Sequence, residues 1–345
     1  MDSRPLGLVA MTAADKVAII SFFSDPTDIV TSHTPSKCPL CNATGEFDFS
    51  SKDLMFQGNQ TYSYHRCISC NLIYQHPIPS DKEIADFYPE SYTVYKQPCR
   101  THFTPLQLSF LKQRHGYKQL KTGLLSDFFA TILRREYVND IVDYVENGLA
   151  LDIGCGNGEY LLRLKSIGWK CKGVEFNDKA VSICLSNGLD IFQGDLKSAK
   201  FGSSTFDLVT AHHLLEHVPD PNELFSEISR LLKPGGRLLI RTPNAKALGR
   251  SWFGTNWYAN DVPRHLYLYS KGNLTKLAQG HGLTPVKIHT IVKSKLLLKS
   301  YDYKSGNTGK PSKKRKLRKW LSSLYIPLAR YRDRGDEIFG LFKKT

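Results

Sequence analysis

The sequence predicts an α/β chain: a mostly parallel sheet covered by helices, preceded by a small cysteine-bearing β module. Three observations carry this expectation. From about residue 137 onward, short apolar runs alternate with helical patterns, the order that builds a parallel sheet with helices on its faces. A glycine cluster, Gly154-Cys155-Gly156-Asn157-Gly158, closes the first of those runs. Two CxxC pairs, Cys38/Cys41 and Cys67/Cys70, lie upstream with 25 residues between them.

Taken in order, residues 1–35 form a weakly patterned leader and residues 36–80 carry the paired cysteines among aromatic and turn residues. Residues 81–136 read as a mostly helical connector, broken by Pro89, Pro98 and Pro105. An amphipathic helix is predicted over 137–146 and a strand over 149–153. The glycine cluster and a helix over 159–167 follow. A second strand spans 170–175 and a second helix 178–186, with Asp178 as its N-cap. Strands follow at 190–193 and 206–211, then a helix over 221–232 stopped by Lys233-Pro234-Gly235-Gly236. A fifth strand covers 237–242, an insertion 244–270, a helix 271–281 and a sixth strand 284–292. Residues 293–335 read as a basic insertion.

Composition narrows the function classes. With 41% hydrophobic and 23% charged residues among 345, the chain is not disordered as a whole. No apolar run approaches the ~20 residues that span a bilayer. The apolar stretch at 17–23 is bracketed by Asp15 and Asp25, which speaks against a signal peptide. The net charge of +15 is concentrated: residues 293–345 hold 16 Lys and Arg against 4 Asp and Glu. Such a tail either contacts phosphate, nucleic acid or an anionic membrane, or is a solvated helix face. Paired cysteines with four scattered single ones (Cys99, Cys155, Cys171, Cys184) fit a reducing, cytoplasmic location with a metal site.

The glycine loop lets a ligand press against bare backbone. Glu175, 19 residues past Gly156 at the end of the second strand, is placed to accept ribose hydroxyls, and Asp195 ends the third strand where an adenine amino group would sit. The loop is GxGxG rather than the dinucleotide GxGxxG, and Asp152 and Glu159 flank it. Carboxylates there repel a pyrophosphate and suit a cofactor with an amino group and a sulfonium. No GKS or GKT is present, which excludes a P-loop.

Five blocks in order, LDIGCGNGEY, VEFN, GDL, FDLVTAHHLLEHVPDP and LKPGGRLLIRTPN, closely resemble class I S-adenosylmethionine-dependent methyltransferases over residues 137–292. The resemblance implies a Rossmann-like seven-stranded sheet whose seventh strand, at 336–343, runs antiparallel beside the sixth. It also implies a cofactor site in which Asp152, Gly154, Gly156 and Gly158 hold the methionine end. Glu175 would take the ribose, Asp195 and Leu196 the adenine, and His212 would stand at the end of the fourth strand near the cofactor.

Each CxxC pair can supply two corners of a tetrahedron, so Cys38, Cys41, Cys67 and Cys70 are the candidate ligands of a closed, structural zinc. A redox CxxC and unpaired core thiols are the alternatives. The arrangement resembles the N-terminal zinc modules of some bacterial methyltransferases.

The run His212-His213-Leu214-Leu215-Glu216-His217 contains H-x-x-E-H. It sits at a strand end rather than on a helix, which argues against a zinc-protease site. It resembles a run in ubiquinone-pathway O-methyltransferases that carries a Glu where this chain has His213, and that difference disfavours a hard cation. A structural turn, a general base and a metal ligand remain the readings, with His217 the candidate base. A second candidate is Asp261-Val262-Pro263-Arg264-His265. There Arg264 would bind a carboxylate or phosphate and His265 would deprotonate a hydroxyl, unless the segment is only a hydrogen-bonded loop. The aromatic stretch 252–258 stacks on a sugar or base, or is lid core.

The expected function is S-adenosylmethionine-dependent methylation, through oxygen, of a small molecule or glycan. The alternatives are an RNA methyltransferase docking through the zinc module and basic insertion, and a non-enzymatic scaffold. Positions 317, 320, 321 and 324 give one apolar helix face. That face is expected to pack on the core, with peripheral membrane contact through 313–325 as the second reading.

Overall fold

The computed structural model describes residues 35–88, 102–133, 140–306 and 315–345, without the side chains of 315–321. The leader and the basic run 313–319 therefore lie outside the described residues or side chains.

Twelve strands are present among the described residues: β1 (Ser36–Lys37), β2 (Thr44–Lys52), β3 (Thr61–Cys67), β4 (Ile73–Gln75), β5 (Leu149–Ile153), β6 (Lys170–Glu175), β7 (Asp190–Gln193), β8 (Phe206–His212), β9 (Leu232–Pro243), β10 (Tyr267–Leu268), β11 (Leu283–Ile291) and β12 (Glu337–Lys344). They form a seven-stranded sheet in the order β11-β12-β9-β8-β5-β6-β7 and a five-stranded sheet in the order β1-β2-β3-β4-β10. The chain divides into two compact units, Met1–Val94 with His213–Ser229 and Leu239–Lys343, and Tyr95–His212 with Arg230–Leu238 and the last two residues.

The second unit holds β5 to β8. β5 pairs in parallel with β6 and with β8, and β6 in parallel with β7. Its residues Ala150, Leu151 and Ile153 are fully buried, as a parallel strand with both faces covered requires. Helix Glu159–Ser166 has Gly158 as its N-cap, and helix Asp178–Ser186 is capped one residue earlier than expected. Asn177 is the N-cap, its Oδ1 accepting the Ala180 N–H at 3.0 Å, while Asp178 accepts from the Gln193 amide instead.

The helix expected over 137–146 is not found in its described part, 140–146. Local amphipathicity there loses to tertiary hydrogen bonds. The Tyr144 N–H donates to the His115 carbonyl at 2.7 Å, and the Tyr117 hydroxyl to the Val142 carbonyl at 2.9 Å. Asp140 is held by Arg163 at 2.6 Å. Among its described residues the connector forms three short helices, Asp81–Asp86, Pro105–Arg114 and Leu124–Ile132, the first two opened by capping boxes from Ser80/Glu83 and Thr104/Gln107.

In the first unit, β2 and β3 form a long hairpin, and β10 closes the smaller sheet by pairing antiparallel with β4 (Tyr267 opposite Tyr74, Leu268 opposite Ile73). The cysteine-bearing sheet thus takes its fifth strand from the 244–270 insertion. Tyr64, Ile73, Val262 and Leu268 form its core. β12 lies between β9 and β11, so the expected last strand stands beside the sixth.

The insertion before β12 folds as helices Ser294–Lys304 and Arg315–Tyr331. The face expected to dock needs correction at Leu324, which is 55% exposed, whereas Ser322, Tyr325 and Ala329 are buried. The polar edge of Tyr325 explains the choice: its hydroxyl donates to Asp336 and accepts the Gly249 N–H, while its ring joins Phe253, Trp257 and Leu297 in one cluster. Phe253 and Trp257 are core, so these two aromatics of 252–258 are packing residues and not a stacking platform.

Candidate active site

The second unit carries the candidate cofactor residues at the C-terminal ends of its parallel strands. Gly154, Gly156 and Gly158 all have positive φ (67°, 55° and 74°), a left-handed path that a side chain disfavours. At Gly158 the space is closed as well: a Cβ would lie 2.4 Å from Leu189 Cδ1 and 2.8 Å from Cys184 Sγ. The buried Glu175 carboxylate ties the loop down. Its Oε2 accepts the Gly156 N–H at 2.8 Å, and its Oε1 accepts the Phe176 and Asn177 N–H groups at 3.0 Å each. Burial pushes its pKa up while those three N–H donors pull it down, and burial wins.

Asp152, inside β5, accepts the Thr210 hydroxyl at 2.6 Å. Burial pushes its pKa up to about 7; the Thr210 hydrogen bond opposes this and the Glu175 charge adds to it. Asp195 is buried and accepts both the N–H and the hydroxyl of Ser198, at 2.8 and 2.6 Å, beside the buried Leu196. The His212 ring packs edge-on against Tyr160, with centroids 4.3 Å apart. Main chain left open by three glycines, with carboxylates closing the ends of β6 and β7, is a donor and acceptor set that fits an adenosine cofactor bearing a cationic sulfonium.

The first unit carries a separate acid–histidine cluster. Glu216 is fully buried on a short 3₁₀ turn, Leu215–His217. Its Oε2 accepts the Thr242 hydroxyl at 2.9 Å, and its Oε1 lies 3.3 Å from His213 Nδ1 and 4.0 Å from His265 Nε2. Burial would raise the Glu216 pKa, but the hydrogen bond from His213 and the charges of His213, His217 and His265 hold it at about 2.

His217 and His265 face each other with ring centroids 4.8 Å apart. A carbonyl oxygen can only accept, so each Nδ1 that bonds one carries a proton: His217 Nδ1 donates to the Arg264 carbonyl at 2.9 Å, and His265 Nδ1 to the Ala259 carbonyl at 3.0 Å. Both rings therefore keep Nε2 as the basic atom. Burial, reinforced by the neighbouring His265, pulls the His217 pKa down to about 4. His265 Nε2 has Asp261 Oδ2 at 3.8 Å, so two carboxylates stand near its free nitrogen. Glu216, His217 and His265 offer three ligand atoms within 4.8 Å of one another.

Arg264 requires a correction. It is buried, with Nη1 2.7 Å from Asp53 Oδ2 and Nη2 2.8 Å from Asp261 Oδ1. Its donors serve the protein's own carboxylates rather than an incoming anion. Asp53, Tyr88, whose hydroxyl lies 3.0 Å from His217 Nδ1, and Thr242 complete this region without any local sequence signal. Asp53 is 211 residues from Arg264 and Tyr88 is 129 from His217.

The four cysteines meet at one edge of the smaller sheet. Cys38 Sγ lies 3.6 Å from Cys70 Sγ and Cys41 Sγ 3.4 Å from Cys67 Sγ, with all four sulfurs within 4.8 Å. The two pairs make matching turns: Asn42 N–H donates to the Cys38 carbonyl and Asn71 N–H to the Cys67 carbonyl, with φ of 59° and 60° at those asparagines. Zn–S bonds of about 2.3 Å in a tetrahedron put the sulfurs about 3.8 Å apart, which these spacings fit.

A family model described as a methyltransferase domain matches residues 131–288. The chain carries a class I S-adenosylmethionine-dependent methyltransferase domain. Similar curated proteins include the ubiquinone biosynthesis O-methyltransferases of Ralstonia nicotianae, 29% identical over 40% of this chain and 63% of the relative, and of Xanthomonas oryzae, 32% identical over 40% and 61%. The sterol 4-C-methyltransferase of Caenorhabditis elegans is 31% identical over 30% of this chain and 34% of the relative. The methyltransferase domain thus spans about three-fifths of the length of the first two relatives. A solved S-adenosylmethionine-dependent methyltransferase from Archaeoglobus fulgidus is 22% identical over 57% of this chain and 86% of that one, with a TM-score of 0.41.

Proposed function

We propose that the protein transfers a methyl group from S-adenosylmethionine to a hydroxyl of a small-molecule or sugar acceptor, with His265 as the general base. The cofactor supplies an electrophilic methyl on a sulfonium. Gly154, Gly156 and Gly158 offer open main chain to its methionine end; Glu175 serves the ribose, and Asp195 and Leu196 the adenine. With the cofactor bound, its sulfonium would supply the methyl and leave as a neutral thioether, and His265 Nε2 would take the proton of the acceptor hydroxyl.

The observation that carries the reading is the fixed tautomer of His265. Its Nδ1–H is committed to the Ala259 carbonyl, and Glu216 and Asp261 stand within 4.0 Å of Nε2 to stabilise the imidazolium that forms. His217, held neutral by burial, keeps a second imidazole beside it without adding a competing charge. The names of the relatives, a quinone-pathway O-methyltransferase and a sterol C-methyltransferase, support a small organic acceptor.

Cys38, Cys41, Cys67 and Cys70 would hold a zinc ion whose part is structural, since four thiolates close its coordination. The test is incubation with methyl-labelled cofactor and fractionated cell extract. Label is expected in an organic-soluble or sugar fraction, lost with His265→Gln. Label confined to RNA would overturn the acceptor class.

A further inference from the structure

Helix Leu124–Ile132 is built inside out. Its sequence, LLSDFFATI, is amphipathic, yet the polar and small face is the one packed on the protein. Ser126 Oγ accepts from the Ser109 hydroxyl at 2.9 Å, the Asp127 carbonyl accepts from the Gln113 amide at 3.0 Å, and the Ala130 carbonyl accepts from Arg114 at 3.3 Å. Ala130 is its only buried residue. The Asp127 carboxylate is turned inward to the Thr122 hydroxyl at 2.9 Å. The opposite face carries Leu124, Leu125, Phe128, Phe129 and Ile132, which are 46% to 91% exposed. Spacing of i, i+1, i+4, i+5 and i+8 makes them one continuous stripe. A folding helix buries such a stripe. Leaving it exposed forgoes the apolar burial that would stabilise the chain, so the stripe fits a surface that is covered by something else.

Charge decides between occupants. Residues 102–133 carry Lys112, Arg114, Lys118 and Lys121 against a single acid, Asp127, and Arg114, Lys118 and Lys121 are exposed. A second copy of the same surface would bring those cations together. An anionic bilayer satisfies both halves of the surface at once, taking the apolar stripe into the acyl boundary and the cations at the headgroups. We propose that helix Leu124–Ile132 is a peripheral membrane-docking element that seats the protein on anionic lipid. The site lies outside the 313–325 segment and is independent of the methyl acceptor.

The test is co-sedimentation of the full chain with phosphatidylcholine vesicles and with vesicles that also contain phosphatidylserine. The wild type is expected to pellet with the anionic vesicles and to be released as salt rises. Phe128→Ser with Phe129→Ser is expected to weaken binding at least tenfold while leaving cofactor affinity and the melting temperature unchanged, because both side chains face away from the fold. A Phe128→Trp reporter is expected to shift its emission to the blue only when anionic vesicles are added. Three results would overturn the proposal: no pelleting with either vesicle, a wild-type dimer that the double substitution makes monomeric, or a reporter already shielded in the vesicle-free monomer. The second would assign the stripe to another copy, and the third to the chain's own covering segment.

Discussion

Glu175 spends both carboxylate oxygens on three backbone N–H groups, so the residue that would meet the ribose also fixes the path of the glycine loop. Glu175→Ala is therefore expected to weaken S-adenosylmethionine binding by about 1.5–3 kcal/mol, the scale of lost hydrogen bonds to a charged group, as read by calorimetry. In the other unit, the buried histidines make the protein sensitive to acid. His217 is held near 4, below the ordinary histidine value of about 6.5. The unfolded chain takes up that proton first, so stability falls as pH drops from about 6.5 through 4. Glu216, held at about 2, adds a loss that begins as pH falls through the ordinary carboxylate range and continues toward pH 2. His213, raised by Glu216 and Glu337 against the opposing effect of burial, works in the other direction, so a single variant is the informative comparison. His217→Gln is expected to flatten melting temperature against pH between 6.5 and 4, and an unchanged slope would contradict the account.

At the scale of the element, the cysteine-bearing sheet has few residues to build a core, and two matched Asn-closed turns bring its sulfurs together. A metal bound there acts as folding free energy for the whole five-stranded sheet, including β10. Purified protein is expected to contain one zinc by elemental analysis. Cys67→Ser should lose it and lower the melting temperature, with cofactor affinity unchanged. Sulfurs of the two CxxC motifs approach each other at 3.6 and 3.4 Å, a spacing that a shared ion would bridge.

At the scale of the whole molecule, the buried Arg264 joins Asp53, from the loop after β2, to Asp261 of the insertion that supplies β10. Removing one member of a buried ionic group leaves uncompensated charge. Arg264→Met is therefore expected to destabilise the protein by about 3–5 kcal/mol, visible as a lowered denaturation midpoint. Arg264→Lys should recover little of it, because a point charge cannot reproduce the forked contacts.

The sequence alone determined the parallel strands from Leu149 to Ala211, the glycine loop, Glu175 at the end of β6 and Asp195 after β7, and the pairing of the four cysteines in two CxxC motifs. Each of these rests on local period, on backbone freedom at glycine or on ligand spacing, which chain connectivity carries directly. It also placed His217 and His265 among the residues of interest. Tertiary structure decided what those residues touch. Arg264 reads locally as an anion binder and becomes an internal ion pair, because its acids lie far along the chain. The amphipathic signal at 137–146 yields, in its described part, to hydrogen bonds with His115 and Tyr117, which follow helix Pro105–Arg114, and Leu324 yields the core to Tyr325, whose hydroxyl has Asp336 to bond. Helix Leu124–Ile132 shows the same limit most plainly: the pattern fixes which residues share a face, but only packing decides which face turns outward.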